Sequence, residues 1–124
     1  IRPVQKYKDK LIFYSLGNYV MLGSADMTLS KSPYIDWSIF SRVHIKKTSS
    51  GKAVAEAVEI IPITNTHART IPMQGEQAQY RIRVLNTLNR DQIKKDPLQF
   101  TVKGSQGVYC AAKVDGARAK QVCR

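Results

Sequence analysis

Two runs of alternating residues, 39–45 and 53–64, constrain this chain more than any other feature. In the first, Ile39, Ser41, Val43 and Ile45 fall on one face and Phe40, Arg42 and His44 on the other. Successive side chains of a strand point to opposite sides, so this period of two marks a strand with one buried face. The second run carries Val54, Val58, Ile60, Ile61 and Ile63. The polar connection 46–52, containing Ser49-Ser50-Gly51, is short enough to fold the runs back on each other as an antiparallel hairpin.

The remaining segments fit around that hairpin. Residues 3–8 read as a short strand, Asp9-Lys10 as a tight turn, and 11–15 as a buried strand rich in β-formers. Residues 21–37 turn to Gly, Ser, Asp, Thr and Pro33 and read as a long irregular loop, packed down by Tyr34, Ile35 and Trp37. After a short linker at Ile71-Pro72, Gly75 and Glu76 open a helix in which Ala78, Ile82, Leu85 and Leu88 recur at helical spacing. Tyr80, Arg83 and Asn86 fall elsewhere on its surface, and the helix is expected to end between Asn89 and Lys95, ahead of Pro97. Residues 98–103 and 108–112 read as a last hairpin through Gly104-Ser105-Gln106-Gly107. The expected class is α+β, antiparallel hairpins with one packed C-terminal helix. The 124 residues suffice for one small core.

Charge and cysteines narrow the setting. The chain holds 20 Lys and Arg against 9 Asp and Glu, a net +11. That balance favours an anionic partner (nucleic acid, anionic lipid or an acidic polymer), and it also simply keeps a surface solvated. Cys110 and Cys123 flank Asp115-Gly116, a good turn pair, so a disulfide is expected and with it an extracytoplasmic, periplasmic or cell-surface setting. Two free thiols in a reducing compartment are the alternative. No apolar run approaches the roughly 18 residues that span a membrane.

No catalytic set emerges. His44 lies in mid-strand and His67 in a polar loop, with no carboxylate at ligand spacing, so no metal ligands are assigned. Ser15-Leu16-Gly17 is not a nucleophile elbow; its small residues let the chain turn where a large one clashes. Asn18 offers an amide that a substrate could meet. Glu56 and Glu59, three apart in a strand, are expected on opposite faces and make a poor acid/base pair.

Residues 10–19, Lys-Leu-Ile-Phe-Tyr-Ser-Leu-Gly-Asn-Tyr, resemble the GKPIFYSLGNF stretch of bacterial CapA-like proteins. These are capsule or poly-γ-glutamate synthesis proteins on a calcineurin-like metallophosphatase fold. Arg2-Pro3-Val4 resembles the family's QPVE. The hairpin ending in Glu59-Ile60-Ile61-Pro62-Ile63 resembles its VRVTF…KVVEVEIIPV pair, and Gly75-Glu76-Gln77-Ala78 lies in register with its RPATGEEAERILERL ending. The resemblance spans roughly residues 2–90. It implies that 1–95 form the C-terminal portion of a CapA-like domain, half of a layered α/β/β/α fold, with 96–124 an accessory hairpin and disulfide-closed tail. The family's last metal motif, of Gly-His-x-Pro-His type, precedes the stretch matching Ile1-Arg2-Pro3. With Ile1 rather than Met at the start, the expectation is a fragment that carries no cofactor itself, from a parent with a divalent metal pair. Ser15, Gly17 and Asn18 match the family's strand-end loop, which faces that metal end. The expected partners are the remainder of the parent chain, an anionic polymer, and a second copy that covers exposed sheet.

Overall fold

The computed structural model describes residues 1–17, 37–64 and 69–124. The loop residues Tyr34 and Ile35, His67 and Asn18 lie outside them. Seven strands and two helices are present among the described residues, so the chain is α+β. Strands β1 (Val4–Tyr7) and β2 (Lys10–Phe13) form a separate antiparallel hairpin. Tyr7 pairs with Lys10, so the turn is Lys8-Asp9, one residue earlier than the sequence suggests. Both turn residues have positive φ, 47° and 61°, as a two-residue turn matched to the strand twist requires.

The alternating runs form β3 (Ser38–Lys47) and β4 (Ala53–Thr64), paired antiparallel. The last hairpin, β6 (Thr101–Lys103) and β7 (Gln106–Cys110), extends the same sheet because β7 pairs with β4. Its connection is two residues long rather than four, since Lys103 pairs with Gln106. Ile71–Pro72, expected to be a linker, makes a two-residue strand, β5, against the end of β4. The resulting order is β3-β4-β7-β6.

Helix α1 (Gly75–Gln92) buries Ala78, Ile82, Leu85 and Leu88, the residues its spacing selects. It packs with Val4 of the first hairpin against Ile39, Val58 and Ile60 on one face of the sheet. The approach is close at β7: a Cβ at Gly107 would stand 3.0 Å from Ile82 and 3.1 Å from the Phe100 side chain. The first hairpin shares this layer, with Leu11 and Phe13 half-buried rather than fully buried. A second helix, α2 (Ala117–Cys123), lies on the opposite face, tied to β7 by the Cys110–Cys123 disulfide. The tail reads as turn and loop in the sequence because a seven-residue helix leaves too short a pattern to recognise.

Two asparagines of α1 take the place of a neighbouring strand. Asn89 is fully buried; its carbonyl oxygen accepts from the Val4 amide at 2.9 Å and its amide donates to the Leu98 carbonyl at 2.6 Å. Asn86, expected on the surface, is half-buried and bonds both the N–H and the C=O of Phe100, each at 2.8 Å. Segment 98–100 therefore runs beside the helix with the Leu98 carbonyl and both backbone groups of Phe100 met by side chains, and strand β6 starts only at Thr101. Replacing Asn89 by Ala leaves the buried Val4 N–H without its partner and the Leu98 carbonyl with only the Gln99 side-chain amide, at 3.0 Å. Asn89→Ala is expected to lower unfolding stability by about 2–4 kcal/mol, measured by urea denaturation, with Asn89→Leu no better despite its added apolar volume.

Candidate functional site

The strand-end loop follows β2. The Ser15 hydroxyl accepts a hydrogen bond from the Gly17 amide at 3.0 Å, closing a small turn. Leu16 accepts from the Ser38 hydroxyl and, at 3.4 Å, from the Ile39 amide, so the loop is pinned to the start of β3. Gly17 has φ of 80°, and a Cβ there would overlap the buried Ser38 hydroxyl. The residue run therefore needs glycine on two separate counts. Asn18, the third residue of this candidate loop, lies outside the described residues. Beside the loop, Arg2, Pro3, Tyr14, Gln92 and Ile93 line an open pocket of about 430 Å³. The Tyr14 hydroxyl at its edge donates to Gln5 Oε1 at 2.7 Å.

A second polar cluster lies on the α2 side of the sheet, and the sequence reading missed it. Arg42 and Glu59 are register partners, so their side chains share a face. Glu59 is nearly buried; one oxygen lies 2.6 Å from His44 Nε2, and Arg42 approaches at 3.3 Å. His44 thus has a carboxylate partner after all. It is 15 residues away in sequence and becomes visible only once the hairpin register is known.

Glu56 departs from expectation for a related reason. Ala57 pairs with His44 and Ala55 with Ile45, which leaves Glu56 as an extra residue in β4, a bulge. The bulge carries Glu56 to the same face as Glu59 instead of the opposite one. Its carboxylate accepts from the Asp115 and Gly116 amides, both at 2.9 Å, in the turn that leads into α2. Its backbone carbonyl accepts from Ala111 at 2.8 Å. A buried carboxylate holding two N–H groups at a helix start is satisfied and well placed electrostatically. Glu56 and Glu59 are each committed to separate partners, so they do not form an acid/base pair.

Lys46 closes this corner by donating to Asp115 at 2.7 Å. The bond to Lys46 holds the Asp115 carboxyl below the usual aspartate value, helped by the charges of Lys113, Lys46 and Lys120. The same bond raises the Lys46 ammonium above the ordinary lysine value. A lowered carboxyl stabilises the fold above its unfolded pKa and loses that contribution as pH falls through the folded value. A raised ammonium stabilises below its unfolded pKa and loses it as pH climbs through the folded value. The Lys46–Asp115 contribution is therefore constant across neutral pH and fades only at the acidic and alkaline extremes.

Among the described residues no group of three His, Cys, Asp or Glu side chains is arranged to hold a metal ion. The metal pair implied by the resemblance has no fitting donor set among the described residues. Among the described residues no helix is long and apolar enough to cross a membrane. No protein-family model matches the chain, and no curated protein or solved structure does so either.

Two outcomes follow from this geometry. Gly17→Ala is expected to lose about 1–3 kcal/mol in thermal or urea unfolding, because it adds a left-handed penalty to the overlap with Ser38. In a carbon-detected NMR titration, Asp115 is expected to titrate below ordinary aspartate, and Lys46→Ala is expected to move it partway back, Lys113 and Lys120 remaining.

Proposed function

We propose that this chain is the C-terminal, non-catalytic part of a CapA-like cell-envelope protein acting in capsule or poly-γ-glutamate biosynthesis or export. The observation that carries this reading is the loop after β2. The Phe13-Tyr14-Ser15-Leu16-Gly17 run that resembles the family's motif is the stretch where glycine is physically required, against Ser38 at the start of the main hairpin. A resemblance concentrated on a position with so little freedom is more telling than one spread over ordinary strand residues. The disulfide supports an extracytoplasmic setting, because such bonds persist in oxidising compartments. In this reading the described layers brace one end of a larger layered fold, and Ser15 and Gly17 shape the rim of a site whose reactive groups come from upstream residues.

A test uses the parent gene and protein. The coding sequence directly ahead of Ile1 is expected to encode a Gly-His-x-Pro-His string. The parent is expected to hydrolyse a generic phosphoester when supplied with Mn²⁺ or Zn²⁺. Absence of that string overturns the family reading. Its presence together with inactivity in both metals removes the enzymatic parent and leaves the envelope role. A second reading, a basic module for a soluble acidic polymer, draws on the net charge of +11 and predicts binding that weakens steeply with salt.

A further inference from the structure

The tips of two hairpins meet at one end of the molecule. Lys10, next to the first turn, donates to the Ala53 carbonyl beside the second at 3.5 Å. Between them runs a groove of about 310 Å³ whose walls are mainly apolar, formed by Leu11, Phe13, Val43, Ile45, Val54 and Ala55, with Asp9 and Lys10 of the first hairpin also lining it. Ile45 is 65% exposed at its mouth, and Tyr7, 52% exposed, stands on the flanking strand. Ile45 is the most exposed large apolar side chain among the described residues.

The rim is strongly basic. Segments 6–10 and 46–52 contain six lysines. Lys6 is paired with Asp9 and Lys46 with Asp115. Lys8, Lys10, Lys47 and Lys52 are exposed and have no carboxylate within ion-pair distance among the described residues. Lys8 also occupies a left-handed turn position, φ 47°, where Asn or Gly fits with less strain, and its ammonium lies 5.4 Å from the Tyr7 ring. A lysine is thus held at the outermost point of the hairpin against local backbone preference.

We propose that these two hairpin tips dock on an anionic lipid surface, Ile45, Tyr7 and the groove entering the headgroup layer while the four lysines meet lipid phosphates. Lysine stems lie along apolar surface and carry their charge to the polar boundary, and tyrosine favours the same interface. A soluble polyanion would satisfy the lysines and leave the groove wet, whereas a lipid surface answers both. A second copy in a two-fold contact would set the lysines of one tip against those of the other. This inference stands apart from the family reading above.

Co-sedimentation tests it, using phosphatidylcholine vesicles with and without about 30% phosphatidylglycerol in about 0.1 M salt. The protein is expected to bind the anionic vesicles only. Lys8→Glu with Lys52→Glu is expected to weaken binding about tenfold or more, and Ile45→Ser about threefold. Arg83→Glu with Lys94→Glu, an equal charge change on and just after α1, is expected to stay within about twofold. Circular dichroism checks each fold, and NMR of the unmodified protein in anionic bicelles is expected to broaden amides 7–11 and 45–53 selectively. Absent vesicle binding, equal losses in both charge variants, or broadening elsewhere overturns the proposal. An Ile45→Ser variant that binds vesicles unchanged, with the tip charges needed equally for soluble polyglutamate, assigns the surface to a soluble polyanion instead.

Discussion

The described architecture depends on one buried amide. Asn89 joins three segments: the first hairpin, 85 residues away, through Val4, the helix on which it sits, and the approach to β6 through Leu98. Apolar contact alone would bring these pieces together without fixing how they slide on each other, because hydrophobic burial is non-directional. Two hydrogen bonds to two backbones set the register. In a site this dry the alternatives are costly, since any shift leaves the buried Val4 N–H unpaired and takes from the Leu98 carbonyl the shorter of its two hydrogen bonds. Asn86, one turn earlier, repeats the device on Phe100, so a stretch of α1 works as a template for irregular chain.

The bulge at Glu56 does similar work on the other face. A regular strand would have turned this carboxylate toward the α1 layer, an apolar core with nothing to receive it. Displaced by one position, it finds two amides of the turn into α2. The tail is then held by chemically different ties: the carboxylate, the disulfide, the Lys46–Asp115 pair, and Lys103 donating to the Val122 carbonyl at 2.9 Å. A seven-residue helix has little stability of its own, and these ties supply what its length cannot.

Legibility in the sequence followed the range of the interactions. The main hairpin and the buried stripe of α1 were readable because period two and period 3.6 are local patterns. The cysteine pairing was readable because only two cysteines exist. The His44–Glu59 contact, the roles of Asn86 and Asn89, and the direction of Glu56 were not. Each depends on a register or a bulge, and a one-residue change reverses which face a strand side chain takes. Asn86 is instructive: in a helical pattern it scores as a polar surface residue, and only the irregular strand beside it explains its burial. Of the candidate loop, Ser15 and Gly17 were legible as small turn residues, while the Ser38 contact that penalises any side chain at Gly17 was not.

The same bulge bears on the outer end of the sheet. Ile39, Val43 and Ile45 share one row of β3, yet exposure rises along it from 4% at Ile39 to 65% at Ile45, as the row runs past the reach of α1. A bulge bends a strand and increases its twist. Beyond Glu56 the last rungs face the first hairpin, where Lys10 reaches the Ala53 carbonyl, and the apolar groove lies between them. The inserted residue ties the tail down on one side of the sheet, and the groove lies at the same end of the hairpin. The exposed apolar surface at that end is flanked by Lys8, Lys10, Lys47 and Lys52, whose charges have no carboxylate partner among the described residues and favour solvation of the tip.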